Sequence, residues 1–256
     1  MRSTPTLKPL KALRQGLGAL ARQPGLAFGF SALACGLHLL GWALFAAGHS
    51  SDSAVLALVF HGLGLALYAG SLIWLIEGLT RIGLAVGADQ HLRWKQLCRW
   101  HGQRSVDLAL GLLNTGLALA ATALAGFMAW SLVVFLVPAL SVLPAVMALG
   151  ALATMALSQL FNACLVLDQR LSPSKAFSVG MLLLSHHWPE LMALAPLLIT
   201  ILAAPFLVGV VAEAIGAGLG VVLTVLAMVI ALPVLASTVT AAYRQLRAPV
   251  ISPAAR

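Results

Sequence analysis

The sequence has few charged residues, and this scarcity excludes most soluble protein classes. Only 9% of its 256 residues are charged and 61% are hydrophobic. The mean hydropathy of +1.00 is far above that of an ordinary soluble domain. Since a membrane-spanning helix needs about 20 apolar residues, the chain can supply several spans and has little length left for anything else. A fused hydrolase or nucleotide-binding domain is excluded, and the sequence indicates an integral membrane protein.

Residue patterns that mark metal, redox and hydrolytic sites are also missing. The three cysteines, Cys35, Cys98 and Cys164, are isolated, so no C-x-x-C pair indicates a metal site or a disulfide framework. The sequence has no H-E-x-x-H, no G-x-S-x-G and no Walker loop, the motifs of common metal-dependent, serine and nucleotide sites. These absences predict a protein that is not an enzyme and that has no catalytic residue, metal or cofactor.

Apolar runs long enough to cross a bilayer occur six times. They are continuously apolar, whereas the strands of membrane barrels alternate, and helices satisfy their own backbone in lipid. The sequence therefore predicts an all-α polytopic membrane protein with six transmembrane helices, arranged as three hairpins that are each preceded by an amphipathic interfacial helix. The predicted spans are 25–47, 54–78, 108–137, 142–167, 191–211 and 219–242, within a transmembrane domain of residues 25–246 that is flanked by segments 1–24 and 247–256.

The positions of the basic residues indicate the orientation of the chain. Six spans place both termini on one side, together with the connections 81–104 and 168–189, and all fifteen Lys and Arg residues fall in these segments. The opposite connections hold only Asp52 and Glu213. Because basic loops stay in the cytoplasm, we expect a multi-pass protein of the cytoplasmic (inner) membrane with both termini cytoplasmic. This distribution explains the net charge of +8 without a nucleic-acid partner.

Three stretches on the basic side have helical periodicity but are too polar to cross the membrane. The first has a stripe of leucines, which are Leu7, Leu10, Leu13, Leu17 and Leu20. In the second, Asp89 is the expected N-cap of a helix with Trp94, Leu97 and Cys98 on one face. The third starts at Ser172 and Pro173 and has an apolar face made of Phe177, Met181, Leu184 and Trp188. We expect each stretch to lie in the headgroup plane.

These stretches are spaced about 80 residues apart, which favours a threefold repeat of one interfacial helix and one hairpin. The even-numbered spans agree, because each ends at a basic residue, Arg81, Arg170 or Arg244. The alternative is that any six-span protein with short outer loops shows similar spacing.

The basic side chains of the three stretches are the candidate ligands for lipid headgroups. They are Lys8, Lys11, Arg14, Arg93, Lys95, Arg99 and Lys175. The leading hypothesis is a membrane protein without catalytic machinery that binds anionic headgroups of membrane lipids and organises lipid, a membrane-protein partner or a homo-oligomer.

Polar side chains inside the spans are the candidates for a second function. Counting along the helices places both His38 and His61 about 20 Å from the cytoplasmic face, where they could meet across the first hairpin as a relay or as a neutral structural pair. Glu77 and Arg81 are four residues apart and are expected to form an ion pair, either as an anchor or at the mouth of a cavity.

Amides and prolines occur in the later spans. The amide side chains of Asn114, Gln159 and Asn162 lie at similar depth and are expected to link helices. Three prolines, Pro196, Pro205 and Pro233, interrupt the last two spans and each frees a backbone carbonyl. Kinked packing helices are favoured at these prolines, because no acidic residue lies deep in the two spans to hold a cation. Since broken helices mark the binding sites of some transporters, the alternative function is a small-solute transporter or carrier with a cavity near the two histidines and Glu77.

Several short motifs of the chain are similar to those of a known family. They are the basic tail, Glu77-Gly78-Leu79-Thr80-Arg81, Arg99-Trp100-His101-Gly102, Ser172-Pro173 with His187-Trp188, and Ala242-Tyr243-Arg244-Gln245-Leu246. Over most of its length the chain resembles the bacterial six-span inner-membrane family related to the membrane domain of glycerophosphoryl diester phosphodiesterases. The resemblance implies the fold and the membrane location of stand-alone members. The phosphodiesterase domain of the fused members is missing here, so no catalytic residue is implied.

Overall fold

A computed structural model describes residues 7–99 and 102–250, the last four without their side chains. The predicted positions Arg2, Trp100, His101 and Arg256 lie outside the described residues, as does the side chain of Arg247. The described chain is all-α, and six of its helical stretches are long and apolar enough to cross a membrane. The helices are α1 (Pro9–Leu20), α2 (Pro24–His49), α3 (Ala54–Gly87), α4 (Trp94–Leu97), α5 (Gln103–Leu136), α6 (Val142–Ser158), α7 (Asn162–Gln169), α8 (Pro173–His186), α9 (Trp188–Ile215) and α10 (Leu219–Val250), with a 3-10 turn at Pro138–Leu140 between α5 and α6.

The six spans form three hairpins, α2 with α3, α5 with α6 and α7, and α9 with α10. Several helices extend beyond their predicted ends. The predicted span 54–78 is the 34-residue helix α3, about 51 Å long at 1.5 Å per residue, whereas the bilayer core is about 30 Å thick. The predicted span ends where polar residues begin. The helix continues to Gly87 because polar side chains there, such as Glu77 and Arg81, form an ion pair within the protein.

The fourth span, predicted over 142–167, lies within the candidate span Pro138–Gln169, but its helix is interrupted. α6 ends at Ser158 and α7 begins at Asn162, with a turn at residues 159–161 between them. The prolines do not break the fifth span, since Pro196 and Pro205 both lie inside the continuous helix α9. A proline removes one backbone hydrogen bond, and the neighbouring turns keep the helix intact. The break instead occurs at amides that bond to other helices.

Backbone contact at glycines sets the register of the first hairpin. A Cβ atom on Gly41 would lie 2.6 Å from the backbone nitrogen of Tyr68, and one on Gly64 would lie 2.5 Å from that of Phe45. Such contacts between small residues allow close packing of helices in a membrane.

We expect Gly64→Ala to lower the free energy of unfolding by about 1–3 kcal/mol, because the added methyl group would overlap the backbone of α2. Gly62→Ala is the matched control on the same helix, since a Cβ there meets no atom within 4 Å. Thermal unfolding of both variants in detergent tests the register. Equal stabilities would contradict this helix contact.

The buried core lies at one end of the bundle. One cluster includes Leu108, Phe161, Leu191 and Tyr243, and the other surrounds Phe30. No residue in the most apolar 18-residue window of α5 is buried. We call the end of the bundle that carries α1, α4 and α8 the basic end. The described helices are therefore packed mainly at the basic end, where the first turns of the odd spans meet the last turns of the even spans.

The first interfacial helix packs on the protein through small residues and one end of the predicted leucine stripe, while the middle of the stripe is exposed. In α1 the buried residues are Ala12, Gly16 and Leu20, and a Cβ on Gly16 would lie 2.8 Å from the backbone of α10 at Thr238. Leu10 and Leu17, which the stripe included, are 77% and 44% exposed. α1 thus has a small-residue face on the bundle and a separate leucine face directed outward.

α8 repeats this arrangement, with one face packed on the protein and part of its predicted apolar face exposed. Its buried residues are Ala176, Gly180, Leu183 and Leu184, whereas the predicted Met181 and Trp188 are 40% and 41% exposed. A Cβ on Gly180 would collide with the backbone oxygen of Ser158 in α6. Both helices share the pattern Pro-x-Lys-Ala-x3-Gly-x3-Leu, starting at Pro9 and at Pro173, two repeat periods apart.

The second interfacial helix is reduced to the four-residue α4. The sequence predicted Asp89 as the N-cap of this helix, and that prediction is wrong. This residue ends α3 in a left-handed conformation with φ of 56°, which Asp tolerates better than most residues, and Arg93 is the N-cap of α4. The helix lies against α3, where the indole nitrogen of Trp74 donates to the backbone oxygen of Leu97 at 3.3 Å. Each interfacial helix therefore packs on an even-numbered span of the neighbouring hairpin, and α1 closes the ring on α10.

Candidate functional site

A cavity of about 460 Å³ lies at the basic end between α1, the end of α3 and the end of α10. Its size is within the usual range for small-ligand sites. Charged and amide side chains surround it, and glycines leave the space open. The lining residues are Gln15, Gly18, Ala19, Arg22, Gly83, Val86, Gly87, Asp89, Ser237, Thr240, Ala241, Arg244 and Gln245.

Glycines on α3 allow the polar side chains of α10 to approach. A Cβ on Gly83 would overlap the hydroxyl oxygen of Thr240, and one on Gly87 would overlap the guanidinium of Arg244. Arg244 therefore extends across the bare backbone of α3. The cavity depends on this combination of small residues on one helix with long polar residues on the other.

The amide of Gln245 joins α1 to α10. Its Oε1 accepts from the backbone N–H of Lys8 at 3.0 Å, and its Nε2 donates to Oε1 of Gln15 at 2.9 Å. The first of these bonds satisfies a backbone donor at the start of α1, a position that has no partner within the helix. Together with the contact at Gly16, they hold α1 as one wall of the cavity.

Two arginines and one carboxylate give the cavity a positive balance. Arg22 forms an ion pair with Asp89, and both side chains are well exposed, so water screens this pair. Arg244 also lines the cavity. Within the described part of the chain, no hydrogen bond or ion pair to its side chain is present. The cavity therefore offers a guanidinium group available to an anion.

An apolar crevice of about 10 Å³ adjoins the cavity. Both spaces are lined by Ala19, Gly83, Val86 and Ser237, and the crevice continues between Leu79, Ile82 and Pro233. The cavity thus leads into the narrow apolar crevice between α2, α3 and α10.

The seven basic residues predicted from sequence are all exposed, but none of them lines the cavity. Lys8, Lys11 and Arg14 lie on α1 beside it. The two arginines that do line it, Arg22 and Arg244, were not among the predicted ligands. Arg22 lies at the start of the first span and Arg244 at the end of the last one, and this placement was the feature of the sequence that could have identified them. The ring of hairpins brings these two ends together.

The predicted ion pair between Glu77 and Arg81 is present, with 2.7 Å between Oε1 and Nη2. The side chain of Glu77 is 4% exposed and that of Arg81 is 16% exposed. Neither residue lines the cavity or the crevice, so the pair is a buried element of the helix bundle rather than a cavity mouth.

The proposed meeting of His38 and His61 is wrong. His38 lies 3.3 Å from the hydroxyl of Ser71, whereas Nε2 of His61 is 3.1 Å from Nδ1 of His49. Because His49 is eleven residues beyond His38 on the same helix, the two sites are about 16 Å apart along the axis. The predicted depth of His38 was counted from the inner end of its span and that of His61 from the outer end. The actual register of α2 against α3 is set by the glycine contacts between the two helices. Neither histidine lines either cavity.

Two of the three predicted amides link helices at the break in the fourth span. Nδ2 of Asn162 is 3.4 Å from the backbone oxygen of Gly111 and 3.2 Å from the hydroxyl of Thr115, both on α5. Gln159 donates to the backbone oxygen of Phe177 in α8 at 3.3 Å. Among the described hydrogen bonds, none involves the side chain of Asn114, which is half-buried on α5.

A polar contact that the sequence analysis missed joins the second and third hairpins. The hydroxyl of Tyr243, on α10, donates to Oδ2 of Asp168 at 2.9 Å, and the side chain of Gln169 donates to the same oxygen. Tyr243 is only 2% exposed. The sequence signal was an acidic residue at the end of an otherwise apolar span.

The cavity has guanidinium and amide groups that can donate hydrogen bonds to an oxyanion, and within the described residues no group of three His, Cys, Asp or Glu side chains could hold a metal ion. No family model, curated protein or solved structure matches the chain, so the site is interpreted from its own residues and geometry.

Proposed function

We propose that this membrane protein binds anionic lipid headgroups at its basic end and organises lipid or partner proteins around its bundle. The role is non-catalytic. The basic end faces the cytoplasm, in keeping with the placement of the basic residues, and the membrane is the inner membrane of a bacterium. The relationship to the six-span family named above belongs to the same proposal.

The observation that carries the proposal is the position of the cavity. It opens at the end of the bundle where α1, α4 and α8 expose their lysines and arginines, and Arg22 and Arg244 lie in its wall. Basic groups near a membrane surface attract anionic lipids by about 1 kcal/mol each. The fold thus brings together, at one depth, basic residues from distant parts of the chain.

The three-sided character of α1 supports the same role. Its small-residue face packs on α10, its leucine face with Leu10 and Leu17 is exposed, and its remaining side carries Lys8, Lys11 and Arg14. An interfacial helix buries apolar side chains at the boundary of the acyl chains and directs basic ones to the headgroups. α1 has both faces while also being fixed to the protein.

Transport is the second candidate, and the break between α6 and α7 favours it, because discontinuous helices form the binding sites of some transporters. However, the amides at this break bond to α5 and α8, and neither cavity is lined by Gln159 or Asn162. Irregular backbone inside a membrane is tolerated where protein covers it. The lipid-binding role therefore has the stronger support.

We expect the combined change Lys8→Gln, Lys11→Gln and Arg14→Gln to weaken binding of vesicles rich in phosphatidylglycerol about tenfold or more, since three charges at about 1 kcal/mol each are lost. Flotation of the purified protein, held in nanodiscs, with vesicles of phosphatidylglycerol or phosphatidylcholine measures this. Binding to phosphatidylcholine vesicles is the control and should not change. Unchanged affinity for the anionic vesicles would reject the proposed function.

A further inference from the structure

We infer that the cavity between α1, α3 and α10 is a specific site for one phospholipid, with the phosphate on Arg244 and Arg22 and an acyl chain directed into the apolar crevice. This inference rests on the proposed function and deepens it. General attraction of anionic lipid requires only exposed charge, whereas the cavity would hold a single molecule with defined contacts.

The charges of the cavity match one phosphodiester. Arg22 and Arg244 supply two positive charges, and Asp89 supplies one negative charge, so the wall carries an excess of one. A phosphodiester has one negative charge, and its oxygens suit the planar fork of a guanidinium group. The contact between Arg22 and Asp89 is exposed and screened, which leaves Arg22 able to turn toward a bound phosphate.

Neutral polar side chains also line the cavity. Thr240 and Ser237 line the cavity from α10, and Gln15 lines it from α1. The hydroxyls of Thr240 and Ser237 donate to backbone oxygens of their own helix. These hydroxyls can therefore accept hydrogen bonds from the headgroup alcohol of a lipid such as phosphatidylglycerol.

The crevice distinguishes a lipid from a free phosphate ion. A free phosphate ion would occupy only the cavity, whereas a lipid would occupy both the cavity and the crevice. The crevice begins at Gly83 and Ser237, which also line the cavity, and continues toward Leu79 and Pro233 deeper in the bundle. Its small free volume means that an acyl chain would widen it by displacing side chains of α2, α3 or α10.

Gly18 offers a direct test of the cavity. It lines the cavity from α1, and a Cβ there meets no atom within 4 Å. Gly18→Phe would fill the chamber while leaving all charges in place and improving helix propensity. Gly36→Phe is the matched control, because Gly36 is exposed on α2 and its Cβ also meets no atom within 4 Å.

We expect Gly18→Phe and Arg244→Gln each to weaken binding of phosphatidylglycerol to the full-length protein at least tenfold, measured by native mass spectrometry as the population carrying one lipid. Gly36→Phe and Arg170→Gln, which changes an exposed arginine away from the cavity, should bind as the unmodified protein does. Helix content and thermal unfolding of each variant show that it is folded.

Three outcomes would overturn the inference. Wild-type affinity of a folded Gly18→Phe variant would show that the lipid does not occupy the cavity. Equal losses in Gly18→Phe and Gly36→Phe would show a non-specific effect. Complete displacement of the lipid by millimolar inorganic phosphate would assign the site to the free ion.

The inference and the proposed function fail in different ways. If the Lys8, Lys11 and Arg14 variant loses vesicle binding while Gly18→Phe binds lipid normally, the general role stands and the specific site is rejected. If neither variant changes lipid binding, both are rejected.

Discussion

Replacement of Arg81 by Met should lower the free energy of unfolding by about 3 kcal/mol. The guanidinium of Arg81 lies 2.7 Å from the nearly buried carboxylate of Glu77. Removing one partner of a buried ion pair typically costs about 3–5 kcal/mol, because the remaining charge keeps its desolvation penalty. Thermal or denaturant unfolding in a single detergent measures the loss.

Two controls separate this effect from a loss of charge. Arg170→Met removes an exposed arginine and should change stability by less than about 0.5 kcal/mol. The double change Glu77→Gln and Arg81→Met should recover most of the stability, since it removes both charges. If Arg81→Met were no less stable than Arg170→Met, the buried ion pair would not contribute to the fold.

The second large effect is expected at Gly16. Leu at this position would force a side chain into the backbone of α10, where even a Cβ would lie 2.8 Å from Thr238. We expect a loss of about 3 kcal/mol, at the upper end of the cost of overpacking, and a loss of binding to vesicles rich in phosphatidylglycerol, because α1 forms one wall of the cavity.

Gly18→Ala is the control for this experiment. A Cβ at Gly18 meets no atom within 4 Å, so alanine there should raise stability by up to about 1 kcal/mol through helix propensity alone. A loss of stability in Gly16→Leu together with a gain in Gly18→Ala would locate the face of α1 that packs on α10. Destabilisation of equal size at both positions would contradict the docking of α1.

The sequence was sufficient to predict the six spans, because long apolar runs have one common solution in a bilayer. The ion pair between Glu77 and Arg81 was also predictable, since four-residue spacing puts both side chains on one helical face. These features depend on residues that are close in the chain. The interfacial helices were located correctly, but the sequence did not predict which of their faces pack on the protein, because glycine and alanine positions carry little hydrophobic signal.

Features that depend on contacts between distant segments could not be read from the sequence. The partner of His38 depends on the close approach of α2 and α3 at Gly41 and Gly64. The break before Asn162 contains no proline or glycine and is held by hydrogen bonds to α5. The cavity requires Arg22 and Arg244, from opposite ends of the chain, to lie beside the same turn of α3.

The cavity lies at one of the two contacts made by the repeated pattern of α1 and α8. α1 packs on α10 as α8 packs on α6, through the glycine of the shared pattern in both cases. At the α8 contact, the side chain of Gln159 reaches α8 and bonds to the backbone of Phe177. At the α1 contact, glycines of α3 leave a chamber open. The α8 contact is thus closed by an amide side chain, while the α1 contact leaves the cavity.

Native mass spectrometry of the protein extracted gently from its own membrane would show whether the basic end binds anionic phospholipid. We expect one anionic phospholipid to remain bound after the detergent is removed, and Arg244→Gln to lose it. A protein that carries no lipid, or only zwitterionic lipid in proportion to its abundance in the membrane, would rule out this binding.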